Sequence, residues 1–314
     1  AFYAISREWL VALLCVHLTM MIGAAAAIYV YARQSMSRIP AAVAMVTYIF
    51  LPYHLIDQYQ RGAMAELLGF VWMPLMLLFG ERLLRPKSSN LTNNKRSSRL
   101  QNAAGLALTF GAFIWSHPPT AFQFTIAFAV YMVLFAFKQR AWRSSLVLIP
   151  ATLLGLGLSA AYFLPAFVER DLIRREYVAE IWPYHATYVF VHGLRYANTH
   201  RAFFNLIDFI WVFNTVAIIA GAVALLKSER RFVESSPGLK DRIWLWVVIG
   251  CLAAFMMTKV SYPIGRLVPG IETGVFTWRM LAITTLITAL IAGSCVQAAL
   301  NRRKNRKESE PKSL

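Results

Sequence analysis

Long apolar stretches, bounded by charged residues, proline or glycine, alternate with short polar segments along this chain. A helix needs roughly 20 apolar residues to cross the ~30 Å hydrocarbon core of a bilayer, so stretches of this size predict membrane-spanning helices. Nine are predicted, at residues 9–31, 39–56, 62–84, 102–116, 120–137, 146–168, 204–226, 243–258 and 276–300. The pattern therefore predicts an all-α fold, a polytopic transmembrane helix bundle within residues 1–300.

The composition supports this interpretation and argues against two other classes of protein. Of the 314 residues, 58% are hydrophobic and only 15% are charged, which is too apolar for a soluble enzyme built around one core. A net charge of +17 is typical of nucleic-acid-binding proteins, but long apolar stretches separate the basic residues here, so no nucleic-acid partner is predicted. Cys15, Cys251 and Cys295 lie in apolar stretches and are interpreted as small hydrophobic residues.

The basic residues are distributed unequally between the two faces of the predicted bundle. Lys and Arg near span ends are retained on the cytoplasmic side, and alternate loops place 22 of the 32 basic residues on one face. The C-terminus is therefore predicted to be cytoplasmic. With nine crossings Ala1 lies outside, and because an intact protein more commonly begins inside, we expect at least one upstream helix and a chain truncated at its N-terminus.

Two polar, basic segments lie on the predicted cytoplasmic face. The tail at residues 301–314 and the loop at residues 87–99 are rich in Lys, Arg, Ser and Asn, a composition that predicts disorder. Their predicted role is topological, and contact with anionic lipid headgroups is the alternative.

The densest group of ionisable residues on the opposite, outer face lies between the second and third predicted spans. If this segment is helical, Asp57 and Arg61 stand four residues apart on one face, and Glu66 lies one turn inside the membrane boundary. Gly62 would let another backbone or a ligand approach closely. This segment has two interpretations. Either Asp57, Arg61 and Glu66 form a structural cluster whose charges pair with one another, or the forked guanidinium group of Arg61 binds phosphate while Asp57 or Glu66 fixes the orientation of Arg61.

Three other outer segments contribute candidate residues. His117 precedes two prolines in a tight turn, where it is either structural or a polar contact for an anion. Arg279 begins the last span and is either a snorkelling anchor beside Trp278 or a second cation for an anionic headgroup. The outer loop at about 169–203 mixes five basic and four acidic residues with aromatic ones, which suits a structured interfacial loop.

Histidines in this loop do not predict a metal site. His185, His192 and His200 lack the close pairing that would place metal ligands on one helical face. No metal and no cofactor are predicted.

Four runs of residues resemble a known family. Together, 59–66, 116–120, 162–171 and 278–281 resemble bacterial multispanning proteins labelled 6-pyruvoyl-tetrahydropterin synthase-related membrane proteins, with similarity over about residues 1–300. Neither a zinc-binding histidine set nor a tunnel-forming sheet like those of the soluble pterin enzyme is visible. More broadly the family is similar to YfhO-like proteins and the GT-C glycosyltransferases, which use polyprenyl-phosphate-linked sugars at the outer face of the inner membrane.

The resemblance implies a GT-C-like fold and a portion of a glycosyltransferase of the bacterial cell envelope. In that superfamily the catalytic acid lies in the first external loop, which would precede Ala1, so no catalytic residue is assigned within this chain. The residues predicted to bind the phosphate or headgroup are Arg61, Arg279, His117 and Arg170, and those predicted to position them are Asp57, Glu66, Glu169, Tyr59 and Trp278. A lipid or polysaccharide transporter and a non-catalytic structural membrane component are the alternatives.

Overall fold

The computed structural model describes residues 7–84, 94–172, 184–191, 197–227, 238–267 and 276–309, which form helices and turns with no strand among them. The α-helices are α1 (Trp9–Ala32), α2 (Arg38–Phe50), α3 (Pro52–Leu55), α4 (Met64–Leu84), α5 (Asn94–Ser116), α6 (Pro118–Lys138), α7 (Trp142–Ser145), α8 (Leu148–Leu158), α9 (Ala160–Val168), α10 (Ala197–Lys227), α11 (Leu239–Met256), α12 (Tyr262–Gly265) and α13 (Leu281–Ser309). A π-helix covers Ile56–Gln60, and short 3-10 helices cover Glu169–Leu172, Tyr184–Ala186, Lys259–Ser261 and Thr277–Met280. The all-α prediction is confirmed for the described residues.

Five helical segments are long and apolar enough to cross a membrane by length and composition: Trp9–Ala32, Met64–Leu84, Pro118–Lys138, Arg201–Lys227 and Thr277–Arg306. Three bent helix pairs raise the number to eight if each pair is one span: Arg38–Phe50 with Pro52–Gln60 (44°), Leu148–Leu158 with Ala160–Val168 (69°), and Leu239–Met256 with Lys259–Gly265 (87°). This set of helices fits an integral membrane protein.

The predicted fourth span accounts for the difference between eight spans and nine. Residues 102–116 form the second half of α5, a helix whose first two turns are polar. The apolar part of α5 is therefore shorter than a bilayer crossing requires. The count of nine spans stays a prediction.

The last helix, α13, lies at the centre of the bundle. It packs against α2, α10 and α11, and 83% of its spanning window is buried, compared with 22% for α1. Helix α4 packs against both α1 and α5, and α5 packs against α8. Helix α1 therefore presents most of its apolar surface outward, as a lipid-facing helix does.

The contact between α5 and α8 depends on a glycine. A Cβ atom at Gly155 of α8 would lie 2.7 Å from the carbonyl oxygen of Ala107 in α5, whereas one at Gly157 would have no described atom within 4 Å. Small residues let membrane helices approach this closely.

We expect Gly155→Ala to separate α5 from α8 and to lower the free energy of unfolding by about 1–3 kcal/mol, as overpacking does. Gly157→Ala, two residues along the same helix, is the matched control and should be neutral or stabilising by up to about 1 kcal/mol, because alanine is the better helix former. Circular dichroism, recorded while each variant is unfolded in detergent, measures the two changes in the free energy of unfolding. Equal losses in the two variants would contradict the prediction.

The described part of the C-terminal tail differs from the sequence prediction. Helix α13 continues through Ser309, so residues 301–309, predicted to be disordered, are helical. Arg, Lys and Glu are good helix formers and extend a helix that the bundle has already nucleated. Residues 94–99 of the basic loop are likewise helical, in the first turns of α5, whereas residues 87–93 and 310–314 lie outside the described residues.

Candidate functional site

The site forms where the chain turns between α2 and α4. Pro52 occupies the first turn of α3, where its missing N–H leaves no intrahelical bond unmade. The helix then widens into the π-turn Ile56–Gln60, which ends with the Arg61 backbone N–H donating to the carbonyl oxygen of Ile56 at 2.9 Å. Single π-turns of this kind are frequent at functional sites.

Gly62 completes this turn. Its φ of +58° lies in the left-handed region that favours glycine. A Cβ atom there would have no described residue within 4 Å. The glycine is therefore explained by its backbone conformation, and not by close approach of another backbone in the described structure.

Two arginines and two carboxylates meet at this turn. The Arg61 guanidinium is ion-paired with Asp57, and its Nη1 lies 3.0 Å from Oε2 of Glu66. The Nε of Arg279 lies 3.6 Å from the same Glu66 oxygen, and the Tyr53 hydroxyl donates to Oε1 of Glu66 at 2.7 Å. We call these five residues the outer cluster. The convergence of Arg61 and Arg279 on Glu66 brings together two residues that the sequence analysis assigned to one site.

Within the outer cluster, Arg61 is more exposed to solvent than Arg279, whose side chain is 11% exposed. The Arg61 side chain is 18% exposed, whereas those of Asp57 and Glu66 are fully buried. Its polar contacts with Tyr53, Asp57 and Glu66 all use Nη1, so the other guanidinium nitrogens make no hydrogen bond or ion pair within the described residues. Burial alone would lower the pKa of Arg61, but attraction from Tyr53, Glu66 and Asp57 outweighs burial and raises the pKa above its ordinary value. Arg61 is thus a permanent cation with a partly unused fork.

Arg279 is held by aromatic packing as well as by charge. Its guanidinium lies 4.7 Å from the centre of the Phe276 ring, a cation–π contact. The Phe276 ring stacks on Trp278 at 4.4 Å, and the side-chain amide of Gln123 donates to the Phe276 carbonyl oxygen at 2.9 Å. Trp278 is only 4% exposed, so packing between helices positions Arg279. The snorkelling interpretation of this pair stays a prediction.

His117 caps helix α6 beside the outer cluster. Its Nδ1 accepts from the backbone N–H of Thr120 at 3.3 Å and lies 2.7 Å from the Thr120 hydroxyl oxygen. Burial lowers the pKa of His117 from 6.5 to about 4, against the attraction of Glu66 and with repulsion from Arg279 and Arg61. A neutral imidazole at neutral pH keeps Nδ1 as the capping acceptor, so the structural interpretation of His117 accounts for its contacts.

The depressed pKa of His117 predicts a pH dependence of stability. Between pH 6.5 and about 4 the unfolded chain binds a proton that the folded chain does not, so the free energy of unfolding falls as pH falls through this window. The His117→Asn variant keeps a side chain that can cap the helix but has no group that titrates. Over this pH window its free energy of unfolding should therefore fall less than that of the unmodified protein, by at most about 3 kcal/mol. Denaturant titrations of both proteins across this range provide the measurement, and parallel pH profiles would contradict it.

The structure does not bring every predicted site residue to the outer cluster. Tyr59 is 77% exposed and Glu169 is exposed in a 3-10 helix, and neither has a described contact with the cluster. Arg170 lies in the same 3-10 helix, but its side chain is not described, and neither are those of His185 and His200. His192 lies outside the described residues, with the other residues of 173–183 and 192–196. Groups of three or more potential metal ligands are not found among the described residues.

A second buried ion pair, which the sequence analysis missed, lies at the other end of α4. Arg242 contacts Oε2 of Glu81 through Nε at 2.7 Å and Nη2 at 2.6 Å, and the hydroxyls of Tyr31 and Tyr131 donate to Oε1 at 2.7 and 2.6 Å. The indole of Trp246 donates to the Tyr31 hydroxyl at 3.0 Å. We call these five residues the inner network. The sequence did contain a signal for this ion pair: Glu81 lies inside a predicted span, and an acidic residue at membrane depth needs a partner.

The chemistry open to the two clusters differs. Both Glu81 oxygens are saturated by donors within the protein, which is the pattern of a structural network. In the outer cluster the Arg61 guanidinium remains partly available to solvent, which suits it to bind phosphate or carboxylate oxygens.

Comparisons of this chain with protein-family models, with curated proteins and with solved structures find no match.

Proposed function

We propose that this protein is a multispanning membrane protein that binds the phosphate of a polyprenyl-phosphate-linked sugar at the outer cluster, as part of a GT-C-like glycosyltransferase. The membrane would be the bacterial inner membrane, with the C-terminus in the cytoplasm. The observation that supports the proposal is the pairing of Arg61 and Arg279 around one buried carboxylate oxygen, with part of the Arg61 fork exposed.

The proposed roles follow from these contacts. Arg61 binds the phosphate through the nitrogens that the cluster leaves unused, while Asp57 and Glu66 hold its orientation. Arg279 adds positive potential from the far side of Glu66. Stabilising a phosphate leaving group with fixed cations is an electrostatic contribution to glycosyl transfer. We assign no catalytic base within these 314 residues.

Binding of undecaprenyl phosphate, with undecaprenol as the phosphate-free control, tests the proposal in proteoliposomes that contain the full chain. We expect the phosphate to increase affinity and Arg61→Lys to reduce it about tenfold, because lysine keeps the charge but loses the fork. Arg266→Lys, an exposed arginine in the turn after α12, is the matched control. Equal binding of the alcohol and the phosphate, or equal effects of the two substitutions, would overturn the proposal.

Lipid movement without sugar transfer is the second candidate function. The three bent helix pairs favour it, because transporters build their sites from interrupted helices. Transfer of radiolabelled sugar from polyprenyl phosphate by the full-length protein, lost in Arg61→Lys with folding retained, would favour the enzyme. Transbilayer movement of the lipid with no transfer would favour the transporter.

A further inference from the structure

An apolar groove lies between α6 and α8, and no residue of either ion-pair cluster lines it. Its cavity volume is about 430 Å³. The floor is formed by Phe110 of α5, and the walls include Phe128 and Met132 of α6 and Ile149 and Leu153 of α8. The close approach of α5 and α8 at Gly155 keeps this floor between the walls.

The hydroxyl groups that line the groove are already bonded to backbone. Thr125 donates to the Ala121 carbonyl oxygen at 2.6 Å and Ser145 to that of Trp142 at 2.6 Å. Thr152 lies 2.9 Å from the carbonyl oxygens of both Leu148 and Ile149. With these donors engaged, the groove offers little to a polar ligand and fits a hydrocarbon chain.

The length of the groove is close to the thickness of the hydrocarbon layer of one bilayer leaflet. Along α6 its lining runs from Thr125 to Ala136, and eleven helical steps cover about 16 Å, close to half of the ~30 Å hydrocarbon core. Near its Ala136 end the lining includes Trp142, which is 44% exposed and suits the membrane–water interface. The depth therefore matches one chain of a lipid whose headgroup lies at the α6–α7 turn.

The α6–α7 turn carries a cation for that headgroup. Lys138 is ion-paired with Asp241 of α11 at 3.3 Å. Arg140 is exposed, and its guanidinium makes no hydrogen bond or ion pair with any residue that the structure describes. An exposed arginine beside the mouth of an apolar groove complements a phosphate attached to an acyl chain.

We propose that this groove binds one acyl chain of an anionic glycerophospholipid, with the lipid phosphate on Arg140. The occupant comes from the leaflet on the Lys138 side, which the charge bias predicts to be cytoplasmic. This lipid site is distinct from the outer cluster and does not depend on the function proposed for that cluster.

Native mass spectrometry of the full chain, transferred from nanodiscs of equal parts phosphatidylglycerol and phosphatidylcholine, tests the site. We expect one retained phosphatidylglycerol, and Arg140→Asn should reduce its preference over phosphatidylcholine about fivefold, the contribution of one cation near a membrane surface. Asparagine is chosen because residue 140 has a φ of +51°, which asparagine tolerates.

A second pair of variants tests the groove separately from the headgroup. Val133→Phe places a ring in the lining and should abolish retention of the lipid, whereas Ile126→Phe, an exposed residue of α6 outside the lining, should not. Equal retention in these two variants, or no preference for phosphatidylglycerol in the unmodified protein, would overturn the proposal. Displacement of phosphatidylglycerol by equimolar undecaprenyl phosphate would overturn the assignment to a glycerophospholipid.

Discussion

Replacing Glu81 with glutamine is expected to lower the free energy of unfolding by about 3–5 kcal/mol, the loss typical when one partner of a buried ion pair is removed. Arg242 is only 6% exposed and would keep its charge without a carboxylate. The hydroxyls of Tyr31 and Tyr131, which both donate to Glu81, would have to share a weaker acceptor. Since the inner network joins α1, α4, α6 and α11, the loss should affect the whole bundle.

The paired substitution separates the cost of an unpaired charge from the value of the interaction. In Glu81→Met with Arg242→Met both charges are absent, and most of the stability should return, because apolar replacement of a buried pair is often close to neutral. Lys138→Met is the control: its pair with Asp241 joins α6 to α11 but is 45% and 33% exposed, so its loss should be below about 1 kcal/mol. SDS titration in mixed micelles measures all of these variants. Additive losses in the double variant would contradict the prediction.

Glu66→Gln should have the second largest effect, about 3 kcal/mol of stability. The outer cluster holds two carboxylates and two guanidiniums, so removing the charge of Glu66 leaves Arg61 and Arg279 to share the single negative charge of Asp57. Arg279 is mostly buried, 11% exposed in its side chain, and has little water to compensate it.

Restoring the charge balance should restore part of this stability. Glu66→Gln with Arg279→Gln leaves Arg61 paired with Asp57 and a neutral cluster, so the double variant should be less destabilised than the sum of its single variants. A coupling of about 1 kcal/mol or more between the two positions is expected for groups in one ion-pair cluster. Coupling near zero in this double-mutant cycle would show that Glu66 and Arg279 do not interact.

Local spacing was sufficient to predict part of the outer cluster. Asp57 and Arg61 are four residues apart, so a helical turn in this region brings their side chains together. The contact of Arg61 with Glu66, five residues further on, depends on the break in the helix at residues 61–63. The π-turn and the left-handed Gly62 change the local path but keep these neighbours in contact. Hydropathy likewise predicted the apolar helices, because a bilayer requires long apolar segments whatever their packing.

Only the tertiary structure decided which distant residues complete each cluster. Arg279 and Trp278 occupy the start of the last span in sequence, where an interfacial anchor is the usual role, yet packing of Phe276 and Trp278 turns Arg279 toward Glu66. Glu81 and Arg242 meet because α4 and α11 present these residues to a common core. Sequence periodicity determines which residues share one helix face, but the rotation and neighbours of each helix depend on side-chain packing across the whole bundle.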